Sequence, residues 1–208
     1  MLPMTPTAYL AVYDSLADWE TGHLIAELRT GRFTGAPHEV VTVAESLDPI
    51  TTMGGVRVLP DMLIDDVAPA GLLILPGAGL WDMGGGEKFV ALAERFLAAG
   101  VPVAAICGAT FGLARAGVLD NRRHTSAAPE YLAASGYAGG ANYVDARVAV
   151  DELLVTAGPD SPVQFATGTL DLLGLLTPDT REAYEAIFHR ADASAYPALM
   201  QAAESAHS

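Results

Sequence analysis

Val103-Ala-Ala-Ile-Cys-Gly-Ala-Thr-Phe-Gly-Leu113 is the stretch on which the reading of this chain turns. Val101 to Ile106 is small, β-branched and uncharged, which is the composition of a central strand buried on both faces; Thr110 to Ala116 has the composition of a short helix. Cys107, the single cysteine of the protein, stands at the turn between them. A turn of this kind pushes a side chain out near a helix N-terminus. Unpaired backbone N–H groups and the helix dipole there favour an anion and lower a thiol's pKa. Such a strained turn needs small neighbours, and Ala105 and Ala109 stand two before and two after Cys107, with Gly108 directly following it. Together these features point to a nucleophile, with a buried core cysteine as the plain alternative.

Upstream, Gly71-Leu-Leu-Ile-Leu-Pro76 reads as another buried strand. It breaks into Gly77-Ala-Gly-Leu-Trp-Asp-Met-Gly-Gly-Gly86 before a helix from about Lys88 to Ala99. Glycines after a strand let backbone N–H groups approach a ligand, so Gly77 and Ala78 read as an oxyanion-binding loop. A phosphate cradle is the rival, but the loop lacks the Gly-Lys-Ser/Thr ending of a P-loop. Gly84 to Gly86 also suits a flexible surface turn.

Nearer the N-terminus, Ala8 to Tyr13 is a first strand, and Asp14 to Glu20 is a loop entering a helix that runs to about Arg29 and ends at Gly31. Asp18 and Glu20 fall at the strand's C-terminal end, where an open parallel sheet places its ligand crevice. Carboxylates also favour the first turn of a helix, which by itself would account for Asp18. His38 to Val43 is a further strand, and Ile50 to Met53 with Val56 to Leu59, joined through Gly54-Gly55, resembles a peripheral hairpin.

Beyond the cysteine, His124 lies in a polar run with Arg123, and can be read either as the partner of the thiol or as part of an exposed loop. The other histidines, His23, His38, His189 and His207, have no comparable context. A short helix is expected over Pro129 to Ala134. Strands are expected at Asn142 to Val144, Arg147 to Val150 and Leu153 to Thr156, an apolar helix over Val163 to Leu175, and helical regions over Asp179 to His189 and Ala195 to Ala206. Strands alternating with helices predict a single α/β domain over residues 1–208, with a mainly parallel sheet, helices on both faces and one antiparallel hairpin or edge.

Composition sets the outer limits. With 51% apolar and 17% charged residues in 208, a large core is required. No uninterrupted apolar run approaches the roughly 20 residues that cross a bilayer. The apolar excess therefore belongs in buried strands, helix packing or the interface of a homo-oligomer. A formal charge of −14, from 25 acidic and 11 basic residues, opposes nucleic acid and anionic lipid as partners. The start Met1-Leu-Pro-Met-Thr-Pro6 lacks the basic and apolar regions of a signal peptide, and one cysteine excludes an intrachain disulfide framework, so a reducing cytoplasm is expected.

Ala104-Ala-Ile-Cys-Gly-Ala-Thr110, followed by Ala116-Gly-Val-Leu-Asp-Asn-Arg-Arg123, resembles the cysteine elbow and following turn of the PfpI/ThiJ superfamily. This group is related to class I glutamine amidotransferases and includes bacterial intracellular proteases or amidases and the Parkinson's-disease-associated deglycase. Ala17-Asp-Trp-Glu20 is similar to the family's loop after the first strand, and Leu75-Pro-Gly-Ala78 to its N–H-donating loop. The resemblance covers most of the chain and implies a flavodoxin-like three-layer sandwich and a homodimer. It implies Cys107 as nucleophile, Glu20 as its carboxyl partner, and the N–H groups of Ala78 and Gly108 as oxyanion donors. Asp18 is the alternative acid, since isonitrile-hydrating members use an aspartate in this loop. Many relatives place Thr-Thr-His after the turn, whereas this chain has His124-Thr-Ser-Ala127, with the histidine displaced toward the start. The expected activity is cofactor-independent and metal-free: thiolate attack on a small carbonyl, amide or isonitrile, followed by hydration or hydrolysis. The alternative from a different class is a redox or stress-response protein whose Cys107 is oxidised to the sulfinic acid.

Overall fold

The computed structural model describes residues 6–206. The reading of the first five residues as lacking a leader, and that of His207, lie outside them. The strands, in chain order, are β1 (Thr7–Ala11), β2 (Glu39–Ala44), β3 (Ile50–Thr51), β4 (Arg57–Val58), β5 (Met62–Leu63), β6 (Leu72–Leu75), β7 (Val103–Ile106), β8 (Val148–Asp151) and β9 (Leu154–Ala157). The helices are α1 (Gly22–Thr30), α2 (Gly79–Asp82), α3 (Glu87–Ala98), α4 (Gly108–Arg115), α5 (Pro129–Ala133), α6 (Pro162–Leu172), α7 (Pro178–Phe188) and α8 (Tyr196–Ala206).

Seven strands form one sheet in the order β5-β2-β1-β6-β7-β9-β8. Every pairing is parallel except that of β8 with β9, which makes an antiparallel edge. All residues of β6, β7 and β9 are buried. Because successive side chains point to opposite faces, a strand buried at every position is covered on both. The mainly parallel α/β architecture read from the alternation of strands and helices is therefore the one observed, and with it the flavodoxin-like sandwich that the resemblance implies. Gly31 ends α1 in the left-handed region at φ 61°, its N–H donating to Glu27 O at 2.8 Å. The buried Glu27 also accepts from the Tyr184 hydroxyl at 3.1 Å, which ties α1 to α7.

Some local expectations are corrected. The anticipated hairpin shrinks to β3 and β4, a two-stranded sheet of its own, and β5 joins the main sheet beside β2. The strand expected at residues 142–144 is a 3₁₀ turn, Gly139–Asn142, followed by a single bridge from Tyr143 to His124. There the Asn142 side chain donates to Asp120 O at 2.8 Å, and this local bond replaces an extended ladder. The glycine-rich loop after β6 contains the short helix α2, which its composition concealed.

Parallel pairing places the site. Leu10 aligns with Ile74 and Ile74 with Ala104, so the chain leaves β1, β6 and β7 at the same edge, through neighbouring loops beginning at Val12, Pro76 and Cys107. Among the described residues no helix is long and apolar enough to cross a membrane.

Candidate active site

Cys107 joins β7 to α4 with φ 57° and ψ −126°, a conformation that costs a non-glycine residue on the order of 1–3 kcal/mol. Neighbouring bonds fix the turn. Cys107 N–H donates to Ala157 O at 3.0 Å, and Cys107 O accepts from Thr110 N at 3.0 Å and from Thr110 Oγ1 at 2.6 Å. Thr110 Oγ1 also meets Ser126 Oγ at 2.6 Å. The elbow read from the sequence is present, and its sulfur side is partly open.

Glu20 lies against it. Its side chain is fully buried, Oε2 accepts from Gly77 N–H at 2.5 Å, and Oε1 has no hydrogen-bond partner. A Cβ on Gly77 would stand 2.8 Å from Glu20 Oε1 and 2.9 Å from Cys107 Sγ, so the carboxyl and the sulfur share the space that glycine leaves. This corrects the role expected of Gly77. Its N–H is committed to Glu20 and its carbonyl accepts from Ala17 N–H at 3.0 Å, so it ties the first loop to the second and is not free for an oxyanion.

The 76–77 peptide is held from behind as well. Pro76 O accepts from the Tyr13 hydroxyl and, at 3.0 Å, from Trp81 Nε1, both side chains being buried. Ala78 N–H has no protein acceptor among the described residues, and its nitrogen is 3.4 Å from where a Cβ on Gly108 would stand. Gly108 N–H lies close enough to the Cys107 sulfur to favour its thiolate. Ala78 and Gly108 are thus together beside the thiol.

Asp18 and His124 are placed elsewhere. The Asp18 carboxylate is exposed and accepts from Thr52 Oγ1 and Gly54 N–H, both at 2.6 Å, so it pins the β3–β4 hairpin. His124 is fully buried, not on an exposed loop; Nδ1 meets Arg122 O at 2.7 Å and Nε2 meets the Tyr137 hydroxyl at 3.0 Å. Neither ring nitrogen is directed to Cys107.

The electrostatics invert one expectation. Burial pushes the Glu20 carboxyl up to about 7, against the opposing pull of Gly77 N–H and of Cys107. Burial, and then the negative charge of the adjoining Glu20 carboxylate, push the Cys107 thiol up to about 12, with Gly108 N–H drawing it back. The helix N-terminus does favour the thiolate, but desolvation beside a carboxylate outweighs one N–H donor. The two groups titrate as a pair: the first proton leaves near neutral pH and the second is held far longer. Protonated Glu20 removes the repulsion that raises the thiol, so one shared proton can lie on the carboxyl with the charge on sulfur.

Four side chains around the site were not singled out from the sequence. Tyr13 and Trp81 hold Pro76, and Tyr131 donates to Asp82 Oδ1 at 2.6 Å beside the mouth. The pair Trp81-Asp82 sits within the quoted glycine loop, but nothing in a linear pattern ties it to Tyr13 or Tyr131. Among the described residues no group of three or more His, Cys, Asp or Glu is arranged to hold a metal ion.

The model of the DJ-1/PfpI family matches residues 6–172. An uncharacterized protease of Bacillus subtilis, YoaZ, is 38% identical over 183 residues, covering 85% of this chain and 87% of that protein. The deglycase TK1284 of Thermococcus kodakarensis is 34% identical over 117 residues, covering 55% of this chain and 69% of that protein. The crystal structure of a ThiJ/PfpI family protein from Bacillus anthracis superposes with a TM-score of 0.90 at 36% identity, covering 96% of this chain and 97% of the other.

Proposed function

Because the chain belongs to the DJ-1/PfpI family, we propose that it is a cofactor-independent cysteine enzyme that attacks a small carbonyl, amide or isonitrile substrate through the Cys107 thiolate. Relatives in the family are named as protease and deglycase, which supports an enzymatic role. The observation that carries the reading is the buried, unpartnered Glu20 Oε1 lying against the sulfur of a strained Cys107. A buried carboxyl without a partner is costly, and it is understandable here as half of a proton-sharing pair.

For an amide the steps follow from this geometry. The thiolate forms a C–S bond, and the carbonyl π pair moves onto oxygen, where Ala78 and Gly108 N–H groups stabilise it. Collapse breaks the C–N bond, and the Glu20 carboxyl gives its proton to the departing amine. Water then attacks the thioester while the Glu20 carboxylate accepts a water proton, releasing the acid and restoring the thiolate. With His124 bonded to Arg122 and Tyr137, proton transfer falls to Glu20 and water, which favours small-molecule chemistry over peptide hydrolysis.

The test is a panel of methylglyoxal, isonitriles and small amides assayed with wild type and Cys107→Ser in parallel. Steady-state turnover of at least one substrate is expected, falling by about a thousandfold or more in the variant. Equal turnover in both proteins would end the nucleophile reading. Stoichiometric oxidation of Cys107 without turnover would favour the redox alternative.

A further inference from the structure

The flank of the cysteine elbow is built from α2 and α5, which both pack on α4. Helix α2 rests on the first turn of α4, where Trp81 Cδ1 lies 3.1 Å from the place a Cβ on Gly108 would occupy, and it ends at Asp82. Phe111 stands one turn beyond Cys107 on α4. The Tyr131 ring packs on Phe111 with centroids 5.1 Å apart, while its hydroxyl reaches Asp82 Oδ1 at 2.6 Å. Tyr131 therefore bridges α4 and α2 across the flank of the elbow. The charged side chains that bear on the Cys107 thiol are Glu20 and Asp82, both acidic, and the Tyr131 phenol in turn feels Cys107 and Glu20.

The hydrogen-bonding capacity of this wall is one-sided. A phenol has a single proton, and that of Tyr131 is given to Asp82. Burial, and then the Asp82 carboxylate, raise the phenol well above its ordinary range, so it keeps that proton. Toward an incoming molecule Tyr131 Oη and Asp82 thus present lone pairs, and the buried Glu20 Oε1 is unpartnered. The backbone beside the sulfur presents the N–H groups of Ala78 and Gly108. The nearby Arg115 guanidinium donates to Gly85 O at 2.9 Å at the far end of α4.

We infer that Asp82 and Tyr131 form a specificity wall that admits electrophiles carrying N–H or O–H donors or positive charge beside the reacting carbon, and turns away carboxylates. The inference rests on Cys107 being the reactive nucleophile. It names the substrate class as amides, hydroxy- or amino-substituted carbonyls and similar neutral or cationic molecules. Their carbonyl oxygen is taken by the backbone donors and their donor group by Tyr131 and Asp82.

Iodoacetamide and iodoacetate provide a matched pair of probes, one a neutral amide and the other a carboxylate. Both alkylate the same thiolate, so the ratio of their second-order rates on the full chain is independent of how much thiolate is present. Divided by the ratio for 2-mercaptoethanol at the same pH and salt, it reports the wall alone. The wild type is expected to disfavour iodoacetate by about tenfold beyond the free thiol. Asp82→Asn should narrow that preference several-fold, and Tyr131→Phe should slow iodoacetamide relative to iodoacetate. Glu94→Gln, which removes an exposed charge on α3, should leave the ratio at its wild-type value, and circular dichroism establishes that each variant is folded. A wild-type ratio equal to that of 2-mercaptoethanol, an unchanged ratio in Asp82→Asn, or an equal change in Glu94→Gln would overturn the inference. Failure of both reagents to modify Cys107 would remove the nucleophile reading itself; ready alkylation without charge preference would remove only the wall.

Discussion

At the scale of single residues, the Glu20 carboxyl and the Cys107 thiol set the behaviour of the site with pH. The pair gives up its first proton near neutrality, so alkylation of Cys107 by iodoacetamide should rise through a midpoint near 7 and then flatten. Glu20→Gln should abolish that step. A midpoint near 7 surviving in the variant would assign the titration to another group. The same shift has a consequence for stability. The Glu20 pKa is raised from 4.5 to about 7 on folding, so between those values the native state binds more protons than the unfolded chain, and stability falls as pH rises. The contribution is fully present below about 4.5 and is lost by about 7, amounting to about 3 kcal/mol. Urea denaturation between pH 5 and 8 should show this decline in wild type and a flatter profile in Glu20→Gln. Identical slopes would count against a buried, neutral carboxyl.

At the scale of elements, Trp81 is the wedge that sets α2 against α4. Cβ atoms on Gly86 and Gly112 would each come within 2.3 Å of its ring, and Gly86 also has φ 86°. Gly86 and Gly112 are therefore required by one indole, and its Nε1 in turn holds the Pro76 carbonyl. Gly112→Ala is expected to cost about 1–3 kcal/mol, because the ring must move and takes the Ala78 loop with it. Urea denaturation measures the loss, and iodoacetamide alkylation of Cys107 should change alongside it; a variant as stable as wild type would mean that the indole has room. The elbow was legible in the sequence because strand, turn and helix are consecutive. The α2 helix was not, since three of its surroundings, Gly86, Gly108 and Gly112, act through a side chain up to 31 positions away from the residue it serves least directly, with no periodic signal between them. Asp18 and Glu20 show the same limit: two residues apart in one loop, they end on the hairpin and against the thiol respectively.

For the whole molecule, we propose a homodimer. Met53, Val56 and Leu59 are exposed on and after the β3–β4 hairpin, and Trp19 is half exposed beside Asp18, whose carboxylate holds the hairpin tip. These side chains form an apolar surface for a second copy of the chain. Sedimentation velocity should give the mass of two chains, shifting toward one in Met53→Glu; a monomeric wild type would refute it. The sequence by itself determined the α/β class, a mainly parallel sheet, and a cysteine on a strained turn between a strand and a helix, because each follows from local composition and period. Tertiary structure alone decided which acid meets the sulfur, that His124 turns to Arg122 and Tyr137, that Gly77 serves Glu20, and that the thiol's pKa rises. Those outcomes depend on desolvation and on contacts between loops brought together by strand pairing, and neither is written in any one stretch of the chain.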